Sequence, residues 1–358
     1  MSRKTVPRYS WKYYSAGWLQ PLNSYLDNSK LTDLKAYDLD DFFPLMLASA
    51  RWTGEFGKGM GEGYQLHVPC QEEAYCLFYR KDILAEAGMT VPATWDELYN
   101  DAVKLTDQTF AGQKIKGFVA RGVRNEGPIL VWIGQKLYSD GGKWFDEDMN
   151  FVGNSSVGVE TLEWAAKILK DAGPRGVSTF DWYDCMNGFA TGRYAFFIDA
   201  DHMNVVFEDP AVSTVAGKVG YALCPPGKAG RKSGAWYWSM AMSNYSDAKE
   251  AAWLFMQWAT SKEIMLKSIL KGNTDPVRKS VNYDAEIVKT FKEWGYYDTN
   301  EELTSYARTM WPPAPNMVES MFRLGRAFQE VLLGQRTAKE ALDDAKWDIE
   351  DMMAPFKK

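Results

Sequence analysis

Apolar and polar positions follow two periods along this chain, and the switches between them outline an α/β protein. In the stretch GYQLHVPCQEEAYCLFYRKDILAEAG (63–88), Tyr64–Pro69 reads as a strand. Pro69 has no N–H to donate and is expected to end that ladder. Ala74–Tyr79 then opens a second apolar strand, with Gln71, Glu72 and Glu73 between the two. Polar side chains so placed need solvent, a partner or a ligand, because a dry unpaired carboxylate costs on the order of several kcal/mol. The layout suits a crossover between two lobes.

Helical periods follow. Thr94 and Glu97 form a capping-box pattern for a helix reaching about Thr106, and Gln113–Arg121 reads as a turn plus a strand. A helix over 127–142 is stopped by Gly141 and Gly142; in 158–171 the apolar positions 159, 162, 165, 166 and 169 share one face, and Pro174 ends it. Residues 180–202 read as a helix delivering the chain to the buried strand Phe196–Phe197–Ile198–Asp199. An amphipathic helix is expected over 246–261, and Thr337 with Glu340 caps a final one. The loop GKGMGEG (57–63) precedes a strand, whereas a phosphate cradle needs a helix N-terminus after it, so it reads as a turn.

Composition narrows the function classes. A length of 358 residues suits two lobes better than one core. A net charge of −6 with thinly spread basic residues argues against nucleic acid, and no run of about 18 apolar residues is present to span a bilayer. With no C-x-x-C and only His67 and His202, neither a zinc site nor a cofactor is indicated. Cys70 and Cys76 stand about 20 Å apart if extended, so four reduced thiols are expected. The start MSRKTVPRYSWKYY has no apolar h-region, hence no signal peptide in this stretch. The 15 Trp, 19 Tyr and 18 Phe serve mostly as core, but a surplus of flat rings also suits the C–H faces of carbohydrates.

Several motifs are shared with a known family. Pro69, Glu73, the strand end Leu77–Tyr79–Arg80–Lys81–Asp82, Ala87–Gly88 and Pro92–Thr94–Trp95–Asp96–Glu97–Leu98 resemble, in order and spacing, the sugar-binding extracellular solute-binding proteins of ABC importers. So do the segment 6–26, the Trp182–Phe189–Gly192 series leading into Phe196–Asp199, GNTDPVRKSV (272–281) and Ala307–Arg308. EDPAVSTVAGKVGY (208–221) with Ser233–Trp238 is similar to the sugar-alcohol branch. The resemblance implies a two-lobed, type II periplasmic-binding-protein-like α/β fold with a ligand cleft between the lobes. It divides the chain into lobe one, 1–73 plus 235–275, and lobe two, 74–234 plus 276–358. The family's opening βαβ unit has no counterpart before residue 6, so a shortened first lobe is expected.

The candidate ligand-binding residues also have plainer readings. Glu73 stands at the family's acidic contact position, where a carboxylate can accept charge-assisted hydrogen bonds from hydroxyls; a hinge acid paired to arginine is the plain alternative. Glu72 and Gln71 are its alternates in register. Trp236 and Trp238, two apart on a strand, face one side as stacking platforms or as packing, while Tyr237 points the other way. Asp199 and Arg121 end buried strands, where open α/β sheets place ligands, although an acid there can equally cap a helix. Arg308 matches the connector arginine; Trp182, Trp11 and Tyr9 complete the set. The implied function is capture of a sugar alcohol or small sugar by a periplasmic or extracytoplasmic monomer that delivers it to a membrane permease, with no catalysis and no metal. The alternative is a glycoside hydrolase using Glu73 and Asp199, which would need carboxyls about 5–9 Å apart.

Overall fold

In the computed structural model of the chain, residues 2–5, 7–124, 127–272 and 275–357 are described. Asn273 and Thr274, within the expected second crossing, lie outside them, as does Val6. The architecture is α/β, with one central sheet clothed by helices.

Two long strands organise that sheet. Val68–Arg80 spans 13 residues and Ser233–Ser243 spans 11, and they pair antiparallel with Ala235 opposite Ala74 and Trp236 opposite Glu73. Beyond this common stretch each continues among different neighbours. Ser239–Met242 pairs with Ser2–Thr5, and Met242–Ser243 with Leu19–Gln20. Tyr75–Tyr79 pairs with Phe196–Ala200, and Leu77–Arg80 with Val219–Ala222. Lys116–Val119 then lies parallel to Tyr194–Ala200. The lower and upper halves of Val68–Arg80 therefore belong to two groups of strands, and the change falls between Ala74 and Tyr75.

One expectation is corrected here: Pro69 does not end a strand. Val68–Arg80 is continuous through it because the ladder slips by one residue, with Trp238 opposite Gln71 but Ser239 opposite Pro69. Cys70 is the extra residue of this bulge. A bulge disrupts the local ladder and so accommodates a residue that lacks a donor. The Cys70 thiol donates to the Trp238 carbonyl at 3.4 Å.

The helices follow the sequence patterns closely. Trp95–Leu105 starts at Thr94, whose hydroxyl accepts from the Glu97 N–H, while the Glu97 carboxylate accepts from Ala93 N–H. Pro128–Ser139, Ser156–Ala172, Met317–Leu332 and Ala338–Met353 pack with one another around the upper strands. The last carries the full Thr337–Glu340 capping box. Aromatic rings fill much of the interior: Trp11, Trp52, Trp132, Trp144 and Trp253 are fully buried, and Trp144 stacks on Trp311 with ring centroids 5.8 Å apart. Most of the aromatic surplus is thus core. No helix among the described residues is long and apolar enough to cross a membrane.

Candidate functional site

Side chains alternate across a strand, so Gln71, Glu73 and Tyr75 leave one face of Val68–Arg80 and Glu72 leaves the other. Residues directly opposite in a ladder share a face. The register therefore sets Trp236 beside Glu73 and Trp238 beside Gln71. The Trp238 indole N–H donates to Glu73 Oε1 at 2.5 Å, and the Gln71 amide reaches the same oxygen at 3.4 Å. No described residue bonds Glu73 Oε2. Glu73 is 8% exposed, which leaves that oxygen, in a largely buried side chain, as an acceptor without a donor among the described residues.

Further along the same face lies Tyr75, fully buried, whose hydroxyl has no hydrogen-bond partner among the described residues. An orphan buried hydroxyl is costly, and in native proteins it usually meets a water or a ligand. Arg121, just past the end of Lys116–Val119, lies 5.8 Å from the Tyr75 ring centroid. It forks onto Asp199, donating from Nε at 2.7 Å to one carboxylate oxygen and from Nη2 to the other. Burial works against the Arg121 charge, yet the adjoining Asp199 outweighs it and raises the guanidinium pKa above its ordinary value. Burial likewise pushes the Tyr75 phenol well up; Arg121, Asp199, Glu73 and Arg8 are the charges that act on it.

Arg8 enters from the helix Pro7–Ser15. It is 5% exposed, and its guanidinium carbon sits 3.6 Å over the Trp236 ring and 4.9 Å from that of Tyr9. Trp236 is itself 7% exposed. Across from Arg8's helix, Gly127 leaves room for the indole: a Cβ there would stand 2.6 Å from Trp236 Cζ3. The structure thus gathers Glu73, Trp236, Trp238, Arg121 and Asp199 of the expected residues around Tyr75 and Arg8, neither of which sequence reasoning had proposed. Tyr75 was findable, since it keeps the strand parity of Glu73. Nothing in the sequence pointed to Arg8, because the guanidinium–indole contact joins residues 228 positions apart.

The remaining candidates lie elsewhere. Arg308 is exposed, bonded to Tyr306 O, and its charge acts on the Tyr237 phenol, on the face opposite Glu73. Trp11 is fully buried one turn along from Arg8. Trp182 is 42% exposed at the start of Trp182–Ala190, next to the Phe180 carbonyl that binds Gly122 and Val123 N–H just beyond Arg121. Glu72 faces a different cluster. Asp201 accepts from Ala74 N–H at 2.8 Å and from Tyr296 O–H at 2.6 Å, and its charge acts on the buried Asp275 carboxyl. Burial, then the Asp201 charge, raises the pKa values of Glu72 and Asp275 well above the carboxylate range, and burial raises that of Asp201. No group among the described residues has the geometry of a metal site.

A carboxylate oxygen without a partner, an orphan phenol, a paired guanidinium and two indoles, set where strands change neighbours, are groups able to hydrogen-bond a neutral polar solute. Residues 6–265 match the model of the bacterial extracellular solute-binding protein family, and the chain belongs to that family. It is similar to the erythritol/L-threitol-binding protein of Mycolicibacterium smegmatis, 30% identical over 348 residues, which cover 94% of this chain and 71% of that protein. The mannitol-binding protein of Pseudomonas aeruginosa is 29% identical over 347 residues, 92% of this chain and 75% of the relative. Among solved structures, an ABC transporter solute-binding protein from Agrobacterium radiobacter in complex with ribitol superposes with a TM-score of 0.84 at 29% identity, over 98% of this chain and 84% of that one. The fold is accordingly the two-lobed one of solute-binding proteins.

Proposed function

We propose that this protein is the solute-binding component of an ABC importer, which holds a sugar alcohol or small sugar between its lobes and hands it to a membrane permease from the extracytoplasmic side, as a monomer. The division into lobes of 1–73 plus 235–275 and 74–234 plus 276–358 is supported by the change of strand neighbours at Ala74–Tyr75. The observation that carries the reading is the pairing of Glu73 with Trp236 on one face at that crossing, beside the unpartnered Tyr75 hydroxyl. Vicinal hydroxyls supply both donors for Glu73 and an acceptor or donor for Tyr75, and a ligand lacking one leaves a buried polar group unpaired. The names of the two relatives and the ribitol bound in the structural neighbour support polyols as the class.

Binding without catalysis fits the same geometry. Both oxygens of Asp199 are engaged by Arg121, so the second acid of the hydrolase alternative is not free to act as acid, base or nucleophile. Isothermal titration against erythritol, ribitol, mannitol and glucose tests the reading. Saturable binding of at least one polyol, weakened in Glu73→Gln, is expected; absence of binding across the panel, or release of reducing ends from aryl glycosides, refutes it.

A further inference from the structure

Trp236 occupies the place where an indole would stack on a sugar ring, yet its face is already taken. The Arg8 guanidinium lies 3.6 Å over the ring, is itself 5% exposed, and is flanked by Tyr9 at 4.9 Å. The indole edge has no slack either, since Cζ3 and Cη2 stand against the Gly127 backbone, where even a methyl group would collide, and the Met321 methyl closes the same corner. A solute that needs the Trp236 face has to expel a buried cation first.

Two chemical classes respond differently to that arrangement. A pyranose presents a flat C–H face and gains much of its affinity from an uncovered aromatic ring. An open-chain polyol has no such face and binds through successive hydroxyls, for which Glu73 Oε2 and the Tyr75 hydroxyl are ready-made partners. We propose that Arg8, by lying across Trp236, sets the ligand class of this site: open-chain polyols are accepted and pyranoses are excluded. The inference rests on the site reading above and adds a selector residue to it.

Titration calorimetry of the full chain with ribitol, mannitol and methyl α-glucopyranoside separates the outcomes. The unaltered protein is expected to bind an open-chain polyol at least tenfold more tightly than the pyranoside. Arg8→Ala, which bares the indole, is expected to shrink that ratio at least tenfold, by strengthening the pyranoside. Arg8→Met, which fills the same volume without charge, serves where the alanine variant does not fold, and should leave the pyranoside excluded; binding of the pyranoside by that variant overturns the proposal. Equal binding of both classes by the unaltered protein, or an unchanged ratio in Arg8→Ala, overturns the role of Arg8 while leaving the site reading standing. Binding of neither class by the unaltered protein overturns both.

Discussion

The Arg121–Asp199 pair offers the sharpest test of how the site is built. Its side chains are 5% and 0% exposed, and the contact is a fork with both carboxylate oxygens engaged. Replacing Asp199 with Asn keeps the shape but removes the charge, so a buried guanidinium is left facing a neutral amide that can accept only one of its two bonds. Breaking a buried pair from one side costs about 3–5 kcal/mol, a large share of the roughly 5–15 kcal/mol that separates folded from unfolded protein. With a urea slope of about 3 kcal/mol/M, the unfolding midpoint should fall by about 1–1.7 M. Replacing both partners, Arg121→Met with Asp199→Leu, removes the stranded charge as well and should restore most of that loss. Urea titrations followed by tryptophan fluorescence and far-ultraviolet circular dichroism measure both. A shift below about 0.3 M for Asp199→Asn, or a double variant as unstable as the single one, would show that the pair is hydrated and not the buried anchor described here.

Other expectations follow from the same geometry. Glu73→Gln removes a charged acceptor and should weaken polyol binding by about 1.5–3 kcal/mol, roughly ten- to more than a hundredfold, in calorimetry. Glu72, Asp201 and Asp275 have folded pKa values above their unfolded ones, so their contribution to stability is fully present below about pH 4 and is lost as pH rises through the raised values. Asp275→Asn should therefore gain on the unaltered protein between pH 4.5 and pH 8 in paired denaturation curves, and a pH-independent difference would count against the cluster. Lys12 pairs with Glu319 across the proposed lobes, both about one-third exposed. Discounted for solvent, that pair is worth at most about 1 kcal/mol, so Lys12→Ala should lower ligand affinity no more than about fivefold, an effect that added salt abolishes.

Much of the architecture was legible because its cues are local. Thr94, Thr337 and Glu340 announce helix starts through bonds within a few residues, and each is found where the pattern put it. The crossing at Glu73 was also visible, as polar residues flanked by apolar ones. What failed was anything set by pairing at long range. The strand running through Pro69 depends on a one-residue slip against Trp238 and Ser239, far along the chain. The same pairing makes Trp236 a neighbour of Glu73 on one face, a relation that no local pattern shows. Arg308, placed by a motif alone, is exposed and acts on the other side of the sheet.

The bulge at Cys70 bears on how such a molecule could open. Both long strands run unbroken through the junction, so a separation of the halves would be taken up there as torsion along continuous backbone. A ladder resists torsion least where a rung is missing, and that gap adjoins Gln71 and lies three residues from Glu73. The compliant spot and the gripping acid are thus almost contiguous, and whatever twists the backbone at Cys70 also turns the carboxylate that holds the solute.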